Sequence, residues 1–178
     1  MRKNRVAADD YTVTALLTTA ATYRKVSIEE VQAMVAHFEA AGIARNEYTC
    51  TALVQCVRVL DGIASERRVA LMRDEQHFML QRRAPPPPEF LNSCMEVLWE
   101  AQRIEDALEI YRSFGRWGAR PNEMTMYIMQ YMLVELGRLE EAADFQAAGA
   151  RAAKRSAEWR QSVGRGEARP QKGTGSLA

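Results

Sequence analysis

One stretch of this chain is written twice. Arg103-Ile104-Glu105-Asp106-Ala107 returns as Arg138-Leu139-Glu140-Glu141-Ala142, a spacing of 35, and the same spacing carries Leu98 onto Leu133 and Glu100 onto Glu135. A second pair lies nearer the N-terminus. Tyr11-Thr12-Val13-Thr14-Ala15-Leu16 reappears as Tyr48-Thr49-Cys50-Thr51-Ala52-Leu53, five of six residues being identical, at a spacing of 37. Self-similarity at such a period marks a stacked array of small units, none of which can bury its apolar face alone. The two-residue surplus of the first pair fits the connection around residues 23–27, where extra length costs little.

Each copy holds two helical patterns. The first helix is expected from Tyr11 to about Tyr23, and Ser27-Ile28-Glu29-Glu30 is a capping box that opens a second. Val31, Met34, Val35 and Phe38 follow the i, i+3, i+4, i+7 pattern of one helix face, and Gly42 supplies the stop. Asn46 caps a third helix, which stops at Asp61-Gly62, and Ser65 begins a fourth. That one runs into Pro85–Pro88, read as a stiff spacer, with capture by a proline-binding module as the sharper alternative. A fifth helix is expected from Phe90 to about Ala101 and a sixth from Ile104 to about Arg116. Asn122 caps a seventh, and an eighth starts near Leu139. The spacing therefore predicts an all-α chain of four helical hairpins.

Composition removes other classes. The chain is 178 residues long, 47% hydrophobic and only 8% aromatic, which suits helices packed through small side chains. Alternating strands are missing, and no apolar run approaches the length of a membrane span. Cys50, Cys56 and Cys94 lack metal-ligand spacing and read as reduced, buried, small apolar residues; with His37 and His77 they do not compose a zinc site. No phosphate-binding glycine loop, nucleophile elbow or zinc-protease helix is present. The Glu/Asp pairs at 29–30, 105–106 and 140–141 sit at helix N-termini, where the helix dipole favours them. The expectation is no enzyme, no cofactor, no metal, no small-molecule substrate and no membrane. Net charge is +1, yet residues 151–178 carry seven Lys/Arg and two Glu, so the body is mildly acidic and the end basic.

Gly137-Arg138-Leu139-Glu140-Glu141-Ala142, the near copy from Gln102 to Ala107, and the closing run Gly118-Ala119-Arg120-Pro121-Asn122 resemble the pentatricopeptide repeat family. Gly42-Ile43-Ala44-Arg45-Asn46 is similar to the same closing run, with Arg45 in place of proline. The resemblance covers roughly Asp10 to Gly149. It implies a right-handed superhelical array of about four units, near 10–46, 47–87, 88–122 and 123–150. A basic stub precedes them at 1–9, and a basic tail at 151–178 is expected to be partly helical and then disordered from about Val163. The resemblance also implies single-stranded RNA lying in a groove formed by the first helices, about one base per unit. Carried over from the family, the base-reading pairs are Thr14 with Asn46, Thr51 with Pro87, and Asn92 with Asn122. The first pair would favour adenine and the third cytosine. Pro87 lacks a side-chain donor, and Tyr127 fills the reading place of the fourth unit, so the code is interrupted.

The function expected from this resemblance is RNA binding in mitochondrial RNA metabolism, the partner being single-stranded or ribosomal RNA. Arg151, Lys154, Arg155 and Arg160 would lie on the phosphates. The alternative is a structural subunit of a mitochondrial ribosome or RNA-processing complex, making mainly protein contacts. Asn46 and Asn122 fit both, because asparagine is also among the best helix caps. Trp99 and Trp117 are candidates for an exposed protein contact or for packing between units.

Overall fold

Short side-chain oxygens set where most of the hairpins begin. The computed structural model describes residues 8–82 and 84–164 as α1 (Asp10–Tyr23), α2 (Ile28–Ala40), α3 (Glu47–Val59), α4 (Ser65–Leu80), α5 (Pro88–Glu100), α6 (Ile104–Ser113), α7 (Glu123–Glu135) and α8 (Leu139–Gly164). Among the described residues there is no strand, so the chain is all-α. Asp9 accepts from Thr12 N at 2.8 Å and Ser27 from Glu30 N at 3.2 Å. Asn46 accepts from Tyr48 N at 3.0 Å and Thr49 N at 2.9 Å, and Asn122 from Thr125 N at 3.0 Å. Each such cap satisfies amides that a helix leaves open and contributes about 1 kcal/mol.

α5 starts differently, and two residues earlier than its apolar pattern suggests. Pro87 occupies the cap position in an extended conformation and Pro88 is the first helical residue. Proline suits that place, because its fixed φ is already helical and its missing N–H is one the helix would not use. Pro86 is buried, and Pro85 packs against Gly118 so closely that a Cβ there would meet its Cγ at 3.3 Å. The proline run is thus packed against the turn leading to α7 rather than standing free as a spacer. Gly118 also has φ +72°, which together with the close approach makes any larger residue there strained. At Val163, where the sequence suggests that order ends, α8 is still helical and continues to Gly164. The remainder of the tail, 165–178, and residues 1–7 of the stub lie outside the described residues.

The odd-numbered helices touch in succession, α1 to α3 to α5 to α7. Each even-numbered helix packs on its own odd partner, and α2, α4 and α6 also pack on the odd helix that follows. α3 shows why the sequence obeys this arrangement. Cys50 and Val54 join a core with α4, α5, α6 and α7, while Leu53, Cys56, Val57 and Leu60 join a second core with α1 and α2. All three cysteines are free and buried, as their spacing indicates. Trp99 and Trp117 pack partly buried against the larger core.

Arg45, in the turn between α2 and α3, fastens the first hairpin to the second. Its guanidinium lies 4.5 Å from the Phe78 ring centroid, 2.6 Å from Glu39 Oε1 and 2.7 Å from Glu75 Oε1. Glu75 Oε2 is buried without a hydrogen-bond partner. Burial pushes the Glu75 carboxyl above its usual range, against the pull of Arg45. The native state therefore keeps this proton longer than the unfolded chain, and stability falls as pH rises from the usual glutamate range through the raised value. Glu75→Gln removes that dependence. Its urea midpoint, relative to the parent, should climb as pH rises above the usual glutamate range; a difference that stays constant with pH would show Glu75 to titrate normally.

Candidate functional site

Residues two, five, nine and twelve places after a cap share one side of a helix. In α1 they are Tyr11, Thr14, Thr18 and Ala21; in α3, Tyr48, Thr51, Gln55 and Arg58. In α5 they are Glu89, Asn92, Glu96 and Trp99, and in α7, Met124, Tyr127, Tyr131 and Val134. Interactions between neighbours join these sides into one face. Thr14 Oγ1 lies 3.4 Å from Thr49 Oγ1, Arg58 pairs with Glu96, and the Trp99 ring lies 6.3 Å from that of Tyr131. The face opens with tyrosines and hydroxyls on α1 and α3, and ends in aromatic and acidic groups on α5 and α7.

Of the base-reading candidates, Thr14, Thr51, Asn92 and Tyr127 stand at the fifth places of this face and Asn46, Pro87 and Asn122 are the caps from which it is counted, and the threonines and asparagines among them are already engaged by the protein. Thr14 donates to Asp10 O at 3.0 Å and Thr51 to Glu47 O at 2.7 Å, both within their own helices. Asn46 caps α3 through its oxygen and donates through Nδ2 to Asp10 Oδ2 at 2.7 Å, linking two hairpins. Asn92 is only 4% exposed. Its Nδ2 donates to Asn122 Oδ1 at 3.0 Å, and the Thr125 hydroxyl lies 2.8 Å from its Oδ1. Asn122 caps α7 and donates from Nδ2 to Glu89 Oε1 at 3.1 Å. Capping and bridging between hairpins therefore coincide in both capping asparagines. Pro87 offers no donor, and Tyr127 lies against Tyr131 with ring centroids 4.4 Å apart and planes inclined at 46°. Of the basic candidates, Arg151 and Lys154 are exposed on α8; Arg155 and Arg160 belong to the same helix, but their side chains lie outside the described residues.

Several residues of this face are not apparent from sequence motifs. Tyr11 is 79% exposed and Tyr48 is 67% exposed, and they occupy the same place in their helices. Their signal is the 37-residue repetition, which carries Tyr11 onto Tyr48. Glu96 carries no such signal, and although the 35-residue repetition carries Glu100 onto Glu135, nothing local marks a carboxylate as facing a neighbouring helix.

Among the described residues, charge on the face is mostly negative. Asp10, Glu47, Glu89 and Glu123 lie in the first turns of the four odd helices. Arg58 pairs with Glu96 and lies 3.6 Å from Glu100 Oε1, Arg82 lies 3.4 Å from Glu47 Oε2, and the Trp99 indole donates to Glu135. Burial pushes the Glu100 carboxyl above its usual range; Arg58 opposes that rise and Glu96 adds to it. A phosphate backbone laid here would meet more carboxylates than guanidinium groups. Among the described residues no group of three His, Cys, Asp or Glu side chains is placed to hold a metal.

The buried Asn92–Asn122–Thr125 cluster has a measurable weight. Thr125→Val keeps the shape but removes the hydroxyl, leaving Asn92 Oδ1 buried without this partner. Stability should fall by about 1–3 kcal/mol, read from the urea midpoint at unchanged slope; a shift within about 0.3 kcal/mol would mean that the cluster contributes little.

No protein-family model matches the chain, and no curated protein matches it in sequence.

Proposed function

We propose that this chain is a pentatricopeptide-like array of four helical hairpins acting in mitochondrial RNA metabolism, as a component of a ribonucleoprotein more than as a free-standing reader of RNA sequence. The observation that carries this reading is the engagement of Thr14, Asn46, Thr51, Asn92 and Asn122 inside the protein, on a face where carboxylates outnumber guanidinium groups. Two base contacts at about 1–3 kcal/mol each, with an interrupted code between them, would not select a transcript. The body then serves as a surface for protein, and the exposed Arg151 and Lys154 on α8 meet the RNA backbone.

A second reading keeps RNA along the odd-helix face, and Tyr11 and Tyr48 favour it. Two exposed rings at equivalent places in successive hairpins are platforms on which bases stack, worth about 1–3 kcal/mol each.

Both readings meet in one experiment on the full chain with random single-stranded RNA. Under the first, a variant with Arg151, Lys154, Arg155 and Arg160 all changed to Gln loses most binding. The slope of affinity against salt then falls by about 1 for every phosphate that is no longer neutralised. Tyr11→Ala with Tyr48→Ala leaves affinity unchanged, and the tagged protein co-sediments with a mitochondrial ribonucleoprotein. Base enrichment that survives the arginine and lysine changes but drops about tenfold with the tyrosine pair would establish the second reading instead.

A further inference from the structure

α7 is apolar on two sides. Ile128, Met129, Met132 and Leu133 face the core at 3% exposure or less. Met124, Tyr127, Tyr131 and Val134 run along the other side at 44–53% exposure. Single exposed apolar residues are ordinary on a surface, but a continuous stripe on one helix marks a place where something binds. Close contact of the tilted Tyr127 and Tyr131 rings, with Trp99 of α5 beside them, turns the stripe into an aromatic ledge.

Charge around the ledge says what fits it. Glu123 and Glu135 flank the stripe on α7, and Glu96 and Glu100 continue it on α5, with Arg58 the guanidinium that pairs among them. An RNA backbone is disfavoured there, whereas ammonium and guanidinium groups gain twice: from the carboxylates and from the negative faces of the rings. Their aliphatic stems would lie on Met124 and Val134.

We propose that this ledge docks a lysine- and arginine-rich segment of a partner protein, its basic groups lying over Trp99, Tyr127 and Tyr131 and pairing with the carboxylates beside them. The proposal rests on the ribonucleoprotein reading above and names the chemistry of its protein partner. Such segments are what proteins carry when they neutralise RNA phosphates.

The test uses the full chain and a fluorescein-labelled peptide of alternating arginine and glycine, followed by anisotropy. The peptide should bind and weaken with salt, and Tyr127→Ser with Tyr131→Ser should raise its Kd by about tenfold or more while the circular dichroism stays that of the parent. An unlabelled peptide with glutamine in place of every arginine should not displace it. No binding to the parent, equal binding to the variant, or displacement by the glutamine peptide overturns the proposal. So does tighter binding by a synthetic peptide of the chain's own residues 165–178, which would assign the ledge to that segment. Peptide binding by a protein that fails to co-sediment with a ribonucleoprotein would leave the ledge standing and remove the organellar reading. Co-sedimentation with no peptide binding would do the reverse.

Discussion

A hairpin of two short helices has more apolar surface than its own partner can cover, and the rest of this structure follows from that constraint. α3 is the clearest case. Leu53 and Leu60 on one side and Val54 on the other are each 5% exposed or less, and burying one such side chain contributes roughly 1.5–3 kcal/mol. No single neighbour reaches both sides. α3 is satisfied only when α1 and α2 lie on one flank and α4 and α5 on the other, so the two cores are held in place by one helix.

Polar interactions then fix the alignment that apolar packing leaves loose. They recur at nearly the repeat spacing: Asn46 with Asp10, Arg82 with Glu47, Asn122 with Glu89, and Trp99 with Glu135. Glu29 with Arg67 and Glu105 with Arg138 do the same among the even helices. Exposed pairs of this kind contribute little stability each, but their repetition sets one alignment. Most of the acidic residues they use sit in first turns, where the helix dipole also favours them. A negative face is thus a by-product of how the hairpins start and how they are joined, and it bears on which partner the face accepts.

The helices are readable in the sequence because their beginnings are chemical. Asn46, Ser27 and Asn122 announce a cap, and the structure places a helix after each within a residue. Pro88 is harder, since proline reads as a break in sequence and acts as a first helical residue here. The candidate site is legible in position but not in state. Spacing places Asn92 in the first turn and a half of α5, yet it cannot reveal that Asn122 and Thr125 come from the next hairpin to enclose its amide. Likewise Gln102 takes φ +59° where the second copy has Gly137 at +71°, a match of conformation hidden by a mismatch of residue.

α7 carries a consequence of its own. With Ile128, Met129, Met132 and Leu133 on one side and Met124, Tyr127, Tyr131 and Val134 on the other, hydrophobicity alone barely distinguishes the helix from the same helix turned half a revolution about its axis. What distinguishes them is Thr125, fully enclosed, whose hydroxyl would keep Asn122 at the cap of its own helix but lose Asn92 of α5 on turning. The buried polar group therefore acts as a rotational pin. It selects which of two nearly equivalent greasy sides points inward, and so leaves the tyrosine side outward by exclusion.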